Sequence, residues 1–253
     1  MKKLRIAAVS YLNTKPFLYG IENNDLKKNI ELLLDIPSVC SKKLINDEAD
    51  LGLVPVAAIP LIPGARIVSD FCIGAVGKVK TVNLYSEIPV SEVKKILLDY
   101  QSQTSASLVK ILANNLWKIE PEWENGKEAY IKDIKGNTAG LVIGDRTFSI
   151  NGKFQYEYDL ASEWFKLTQL PFVFAVWVTN KEISADFLKS FNEALRFGVD
   201  HRHLSVKLWQ SSAPEADLHY YFDECISYNF DERKKRALQM FMNLTRELEK
   251  VIR

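Results

Sequence analysis

The segment Ser10-Tyr11-Leu12-Asn13-Thr14 has the residue types and the position to bind a small anion. It follows the apolar strand pattern of Leu4–Val9 and precedes Pro16, which is typical of the first turn of a helix. Its hydroxyls and its amide are therefore expected between the carboxyl end of a strand and the amino end of a helix. Ligands bind at such places in open α/β sheets, and the unpaired N–H groups of the first helical turn attract anions.

Two later segments have the same pattern. Ser102-Gln103-Thr104-Ser105 places three hydroxyls and an amide at the start of a predicted helix. Gly144-Asp145 follows the apolar run Ala139–Ile143. Hydroxyl and N–H groups together suit a carboxylate or a phosphate, and three hydroxyls exceed what one helix cap requires. We therefore predict that all six of these residues contact a ligand.

Two single positions complete the predicted site. Pro55 ends an apolar strand and is followed by small side chains, so that the backbone there could approach a ligand closely. Ser86 follows the predicted strand Val79–Tyr85, where we expect the chain to pass from one domain to the next.

Each of these patterns also has a purely structural interpretation. Polar residues follow most strands, and one hydroxyl of the second segment is enough to cap its helix. Asp145 could likewise cap a short helix while pairing with its neighbour Arg146.

The composition excludes several classes of function. The formal charge of the 253 residues is +1 and the basic residues form no dense stripe, which argues against a nucleic-acid partner. The apolar runs are shorter than the roughly 20 residues that span a bilayer, and the first residues do not resemble a secretion signal. We therefore predict a cytoplasmic protein without a membrane partner. The sequence leaves the oligomeric state open.

The residues that commonly bind metals are few and scattered. The three cysteines form no Cys-x-x-Cys pair, and the three histidines fall in one late helical region. The sequence also has no glycine-rich phosphate loop, no Gly-x-Ser-x-Gly and no His-Glu-x-x-His. We predict no metal site. The predicted site holds mainly amides and hydroxyls, which suits binding and orienting a small dianion better than hydrolysis.

Strand and helix patterns alternate along the chain, which favours an α/β fold with mostly parallel sheets. The predicted strands are Leu4–Val9, Ile30–Leu34, Leu51–Val54, Ile67–Val76, Val79–Tyr85, Ile96–Leu98, Ala139–Ile143 and Phe172–Val178.

The end of the chain is almost wholly helical and cannot form a sheet by itself, so we expect it to pack on the first block. This predicts a discontinuous domain of residues 1–85 plus 181–253, with residues 86–180 inserted as a second domain. The chain would cross near Tyr85–Ser86 and again near Trp177–Asn180. Two lobes joined by a two-crossing hinge predict a clamp with the ligand in the cleft between them.

Taken together and in order, these motifs resemble the chorismate dehydratases of the futalosine route to menaquinone. The resemblance runs from Val9 to about Trp177. The segments that carry it are Ser10–Pro16, Gly77–Val82, Asp99–Leu108, Gly144–Asp145 and Leu170–Ala175.

The resemblance implies a type II periplasmic-binding-protein-like fold kept in the cytoplasm. The implied reaction removes water from chorismate and gives 3-[(1-carboxyvinyl)oxy]benzoate, with no metal or organic cofactor. It makes Asn13 the leading catalytic residue, because its amide could hydrogen-bond the departing hydroxyl. Two groups could act as the base that removes the proton: Asp145 and the enolpyruvyl carboxylate of the substrate itself. One departure is Val56, where members of the family often have serine.

Two other functions compete with this one. A binding module, such as a solute receptor or the sensing domain of a regulator, would use the same clamp. A later enzyme of the same pathway, which acts on cyclic dehypoxanthine futalosine, shares the fold class but needs a general base, commonly histidine, near the cleft.

Overall fold

The structure is a computed structural model that describes residues 3–251. Residues 1, 2, 252 and 253 of the predicted first domain lie outside this range. The strands are β1 Leu4–Val9, β2 Ile30–Asp35, β3 Leu51–Pro55, β4 Arg66–Ala75, β5 Val82–Ser86, β6 Lys95–Leu98, β7 Glu122–Asn125, β8 Thr138–Ile143, β9 Tyr156–Asp159, β10 Phe172–Thr179 and β11 Ser227–Asn229. The helices are α1 Lys15–Glu22, α2 Pro37–Ile45, α3 Gln103–Leu112, α4 Leu160–Thr168, α5 Ala185–Asp200, α6 Arg202–Trp209, α7 Leu218–Tyr220 and α8 Glu232–Val251.

The chain divides into two compact units. Unit 1 holds the described residues up to Gly74 together with Val173–Asp231, and unit 2 holds Ala75–Phe172 together with the helix that begins at Glu232. One sheet has the strand order β11-β4-β10-β3-β1-β2, and the other has the order β7-β6-β8-β5-β9.

Both sheets are mixed, whereas the alternating pattern predicted mostly parallel ones. β1 pairs in parallel with β2 and β3, and β6 pairs in parallel with β7 and β8. Antiparallel pairs join β10 to β3, β11 to β4, and β5 to both β8 and β9.

The division differs from the predicted one at three places. Strand β10 was expected in the inserted domain, but it pairs with β3, and all of it except Phe172 belongs to unit 1. β5 was expected in the first domain, but it pairs with β8 and β9 and so belongs to unit 2. The final helix α8 was also expected there, but it packs on α3, and Phe241 lies edge-on to Trp164 and Phe172 of unit 2. An apolar stripe shows that a helix has a buried side and does not show which sheet that side covers.

The strands that the sequence analysis missed are β7, β9 and β11. Each of them lies at the edge of its sheet. An edge strand is short and keeps polar side chains, as in Glu122–Asn125 and Ser227–Asn229, so its apolar alternation is weak. Within residues 3–251, no helix is both long enough and apolar enough to cross a bilayer.

Helices α1 and α5 approach each other through two glycines. A Cβ atom added at Gly198 would lie 1.9 Å from the carbonyl oxygen of Pro16, and one added at Gly20 would lie 1.9 Å from the carbonyl oxygen of Ala194. Both contacts are with backbone, which cannot rotate away as a side chain can. This close approach fixes α1, and with it the polar turn that precedes the helix.

We expect Gly198→Ala to lower the free energy of unfolding by about 1–3 kcal/mol, because the added methyl group pushes α5 away from α1. Alanine is otherwise about 1 kcal/mol more favourable than glycine within a helix. A loss of stability in this variant would therefore be caused by the contact with α1. Urea unfolding measures the effect, with Glu193→Ala at an exposed position of the same helix as the control. A Gly198→Ala protein as stable as the unaltered one would contradict this account.

Candidate functional site

In unit 1 the structure brings Ser10 and Pro55 to the same edge of the sheet. The parallel register of β1 and β3 pairs Ala7 with Gly52. Three residues further along each strand, Ser10 therefore lies beside Pro55 at the carboxyl ends of both strands. The Ser10 N–H donates to the Asp35 carbonyl (2.9 Å), and the side chain of Val56 after Pro55 is completely buried.

The predicted polar turn forms a short 3-10 helix, Leu12–Thr14, that runs directly into α1. Tyr11 and Asn13 are partly exposed, and Thr14 is completely buried. The Thr14 hydroxyl donates to Asn13 Oδ1 (3.2 Å), so the acceptor side of this amide is already engaged. The amide nitrogen of Asn13 is the group that a ligand at this turn would meet.

Tyr228 holds the same turn from the other end of the chain. Its hydroxyl donates to the backbone carbonyl of Asn13 (3.1 Å), and its ring lies edge-on to Phe17, with centroids 5.2 Å apart. Burial raises the pKa of the Tyr228 hydroxyl well above its ordinary value, so that it stays a donor. The sequence analysis missed this residue, because nothing local links a short strand near residue 228 to residue 13.

In unit 2 the two serine hydroxyls of the segment Ser102–Ser105 form hydrogen bonds within that segment. Ser102 caps α3 by accepting from the Ser105 N–H (3.2 Å), and the two serine hydroxyls lie 3.1 Å apart. Ser102, Thr104 and Ser105 are buried, whereas Gln103 is exposed. The serine hydroxyls therefore build the start of the helix, as the structural interpretation of this segment proposes.

A buried carboxylate, Asp99, organises this turn. Its Oδ2 accepts from the Tyr130 hydroxyl (2.9 Å) and the Ile143 N–H (3.0 Å), and it also pairs with Arg146. Its Oδ1 accepts from the Gln101 N–H (2.9 Å). Burial raises the pKa of the Asp99 carboxyl above its ordinary value, while Arg146 and the N–H donors act in the opposite direction.

Gly144 and Asp145 lie at the carboxyl end of β8, as predicted. Gly144 has φ 72° and ψ −163°, a conformation that is essentially restricted to glycine, and its N–H donates to the Thr81 carbonyl (2.9 Å). Asp145 is partly exposed and is the first residue of the 3-10 turn Asp145–Ser149. The proposed pair between neighbours does not form, because Arg146 directs its ion pair to Asp99.

Ser86 does not lie with the other predicted residues of unit 2. β5 runs antiparallel to β8, so Val82 pairs with Ile143 and Tyr85 pairs with Gly140. Ser86 is therefore at the opposite end of the sheet from Gly144, about 13 Å from Val82 at ~3.3 Å per residue. Its buried hydroxyl accepts from the Ile88 N–H (3.2 Å). The prediction placed it at a domain crossing, but the unit boundary precedes β5.

Asp159 is a second buried carboxylate at the edge where β5 begins. One oxygen accepts from the N–H groups of Val79 (2.9 Å) and Lys80 (2.7 Å), and the other caps α4 through Ala161 and Ser162. Lys80 has a positive φ of 66°. An acidic residue directly before a helical apolar stripe is a recognisable N-cap signal, and it could have pointed to Asp159.

The histidine, cysteine, aspartate and glutamate side chains within residues 3–251 form no group of three or more that could hold a metal ion. The edge of unit 1 thus offers an amide and a hydroxyl-bearing turn. The edge of unit 2 offers a glycine turn, a partly exposed carboxylate and a guanidinium.

The chain has the periplasmic-binding-protein-like fold. The periplasmic aliphatic sulphonate binding protein SsuA from Escherichia coli superposes with a TM-score of 0.64 at 15% identity, covering 100% of this chain and 89% of that chain. At this identity the likeness concerns the fold alone.

Sequence comparison identifies the family. Residues 4–247 match the family model described as menaquinone biosynthesis, so the chain belongs to that family. A protein named chorismate dehydratase from Campylobacter jejuni is 25% identical over 95% of this chain and 96% of its own length. A protein of the same name from Thermus thermophilus is 25% identical over 68% of this chain and 70% of its own length.

We expect Asp99→Ala to lower the free energy of unfolding by about 3–5 kcal/mol, because it leaves the Arg146 guanidinium and the Ile143 N–H without their carboxylate acceptor. Chemical denaturation measures this loss. Asp133→Ala, at an exposed carboxylate of the same unit, should stay within about 0.5 kcal/mol of the unaltered protein. Similar values for the two variants would show that Asp99 has no organising role.

Proposed function

We propose that the protein is a chorismate dehydratase, a hydro-lyase that converts chorismate to 3-[(1-carboxyvinyl)oxy]benzoate for menaquinone biosynthesis. The observation that carries the proposal is the family match over residues 4–247, together with two relatives that bear this name. The site described above is compatible with this chemistry.

The reaction needs little beyond orientation and a route for a proton. The C3–H bond breaks, its electron pair becomes part of the new aromatic ring, and the C4 hydroxyl departs with a proton as water. Aromatisation provides the driving force. The contribution of the protein is therefore to hold the dianion in one conformation and to stabilise the departing oxygen.

We assign Asn13 the catalytic role. Its Oδ1 is engaged by Thr14 and its carbonyl by Tyr228, so the amide nitrogen is held in place to hydrogen-bond the departing hydroxyl. Ser10, Tyr11 and Pro55 in unit 1, and Gln103, Gly144 and Asp145 in unit 2, are the proposed substrate contacts. Ser102 and Ser105 are bonded to each other at the start of α3, and Ser86 lies at the opposite end of the sheet, so we leave these residues and Thr104 out of the proposed set of contacts.

Incubation of the purified protein with chorismate tests the proposal directly. We expect a new benzoate absorbance to develop without any added cofactor, with the product identified by mass spectrometry. Binding of chorismate without turnover would instead favour a binding module.

We expect Asn13→Ala to reduce kcat at least about 100-fold, the usual cost of removing a donor to a developing negative charge, while the product still binds. Asn23→Ala, at the exposed far end of α1, is the matched control and should keep full activity. Steady-state kinetics and calorimetric titration with the product separate the two effects. Unimpaired turnover by Asn13→Ala would remove this residue from the mechanism.

The base is a separate question, and we favour the enolpyruvyl carboxylate of the substrate over Asp145. If the substrate supplies the base, Asp145→Asn should keep kcat within about tenfold of the unaltered enzyme. If Asp145 is the base, kcat should fall by about 100-fold to 10,000-fold. Asp133→Asn controls for the loss of one negative charge on unit 2.

We also propose that the reaction belongs to the futalosine route and takes place in the cytoplasm, as the sequence resemblance implies. Both statements remain predictions, because the family description specifies menaquinone biosynthesis without a route or a compartment.

A further inference from the structure

The guanidinium of Arg146 is held by contacts within unit 2 at the edge that carries Gly144 and Asp145. Its Nη2 pairs with the completely buried carboxylate of Asp99, and its Nε donates to the Ile143 carbonyl (3.4 Å). The guanidinium carbon lies 5.7 Å from the ring centroid of Tyr100, over the ring. A carboxylate, a carbonyl and an aromatic face therefore fix its position.

These contacts leave part of the guanidinium available. Nε and Nη2 are used inside the unit, but among the described residues of unit 2 no acceptor binds Nη1. The Arg146 side chain keeps 33% of its surface exposed, and Tyr100 beside it is 48% exposed. A charged donor is thus presented to solvent in a fixed orientation.

The two serine hydroxyls at the start of α3 are less suited to binding an anion. The hydroxyls of Ser102 and Ser105 are buried and bonded to each other, although the sequence predicted them as carboxylate ligands. Arginine forms charge-assisted bonds to carboxylates that are roughly twice as strong as those from neutral donors. A fixed side chain also loses little conformational entropy when a ligand binds.

We propose that Arg146, oriented by Asp99 and Tyr100, is the residue of unit 2 that binds one carboxylate of the substrate. The inference rests on the proposed function and adds a specificity determinant to it. The ligand class is a six-membered ring with one carboxylate on the ring and a second on an enol ether substituent, and the predicted bond joins Nη1 to one carboxylate oxygen.

Calorimetric titration with 3-[(1-carboxyvinyl)oxy]benzoate tests this role. We expect Arg146→Met to weaken Kd at least tenfold, because it removes one charged contact, whereas Lys153→Met, at an exposed cation of the same unit, should change Kd less than twofold. 3-Ethoxybenzoate and 2-phenoxyacrylate each lack one of the two carboxylates. The analogue without the carboxylate that Arg146 binds should have the same Kd for the unaltered protein and for Arg146→Met.

Arg146→Met leaves the buried Asp99 charge without its cation and could unfold the turn. The double variant Asp99→Asn, Arg146→Met removes both charges, and its thermal unfolding shows whether the fold is restored. A folded double variant with the same loss of affinity supports a binding role for Arg146.

Two failures can be told apart. If the unaltered protein binds neither chorismate nor the benzoate, the proposed function is wrong and this inference fails with it. If the unaltered protein binds the benzoate and the folded Arg146 variants bind it equally well, only the role of Arg146 is overturned. An equal loss of affinity for both single-carboxylate analogues would also overturn it, since a specific contact affects only one of them.

Discussion

The buried carboxylate of Asp99 is the interaction on which the candidate site of unit 2 depends. Its two oxygens accept from the start of the loop before α3, from the N–H of the last residue of β8, from the Tyr130 hydroxyl and from Arg146. A carboxylate can satisfy several donors at once, and burial makes each missing partner costly. One side chain therefore fixes two strand ends and a guanidinium with respect to each other.

Unit 1 achieves the same rigidity mainly through its backbone. The glycine contact between α1 and α5 fixes the helix, and the Tyr228 hydroxyl fixes the carbonyl of Asn13. Neither device contributes a group to the chemistry that we propose. Both hold the Asn13 amide on regular elements of secondary structure, which position a functional group better than a free loop does.

The sequence predicted the buried strands well and the edges poorly. Strands β1, β3 and β8 have continuous apolar runs because both of their faces are covered. Ser10, Pro55 and Gly144 lie at the carboxyl ends of these strands, where the sequence predicted them. The edge strands β7, β9 and β11 lack such runs. Without β9 and its pairing, β5 could not be assigned to the second sheet, and the domain crossing was expected at Ser86 when it lies before β5.

The contacts of the candidate site could also be predicted only in part from the sequence. Residue types and spacing identified the polar turns, because helix starts have local signals. They did not reveal which hydroxyls are used internally, as with Ser102 and Ser105, or that Arg146 pairs with Asp99, 47 residues away, and not with Asp145. Those outcomes depend on tertiary contacts between strand ends, which a single sequence does not specify.

The contact between Gly20 and Gly198 has a consequence for efforts to change what this protein binds. Each glycine contacts the backbone of the other helix, so the distance between the helices cannot be changed in small steps by substitution. Even an added methyl group requires a whole helix to move. Altered selectivity must then come from residues of the polar turn before α1, such as Tyr11, while the arrangement of α1 and α5 stays unchanged. Mutant libraries that spare these two positions should keep a larger share of folded members.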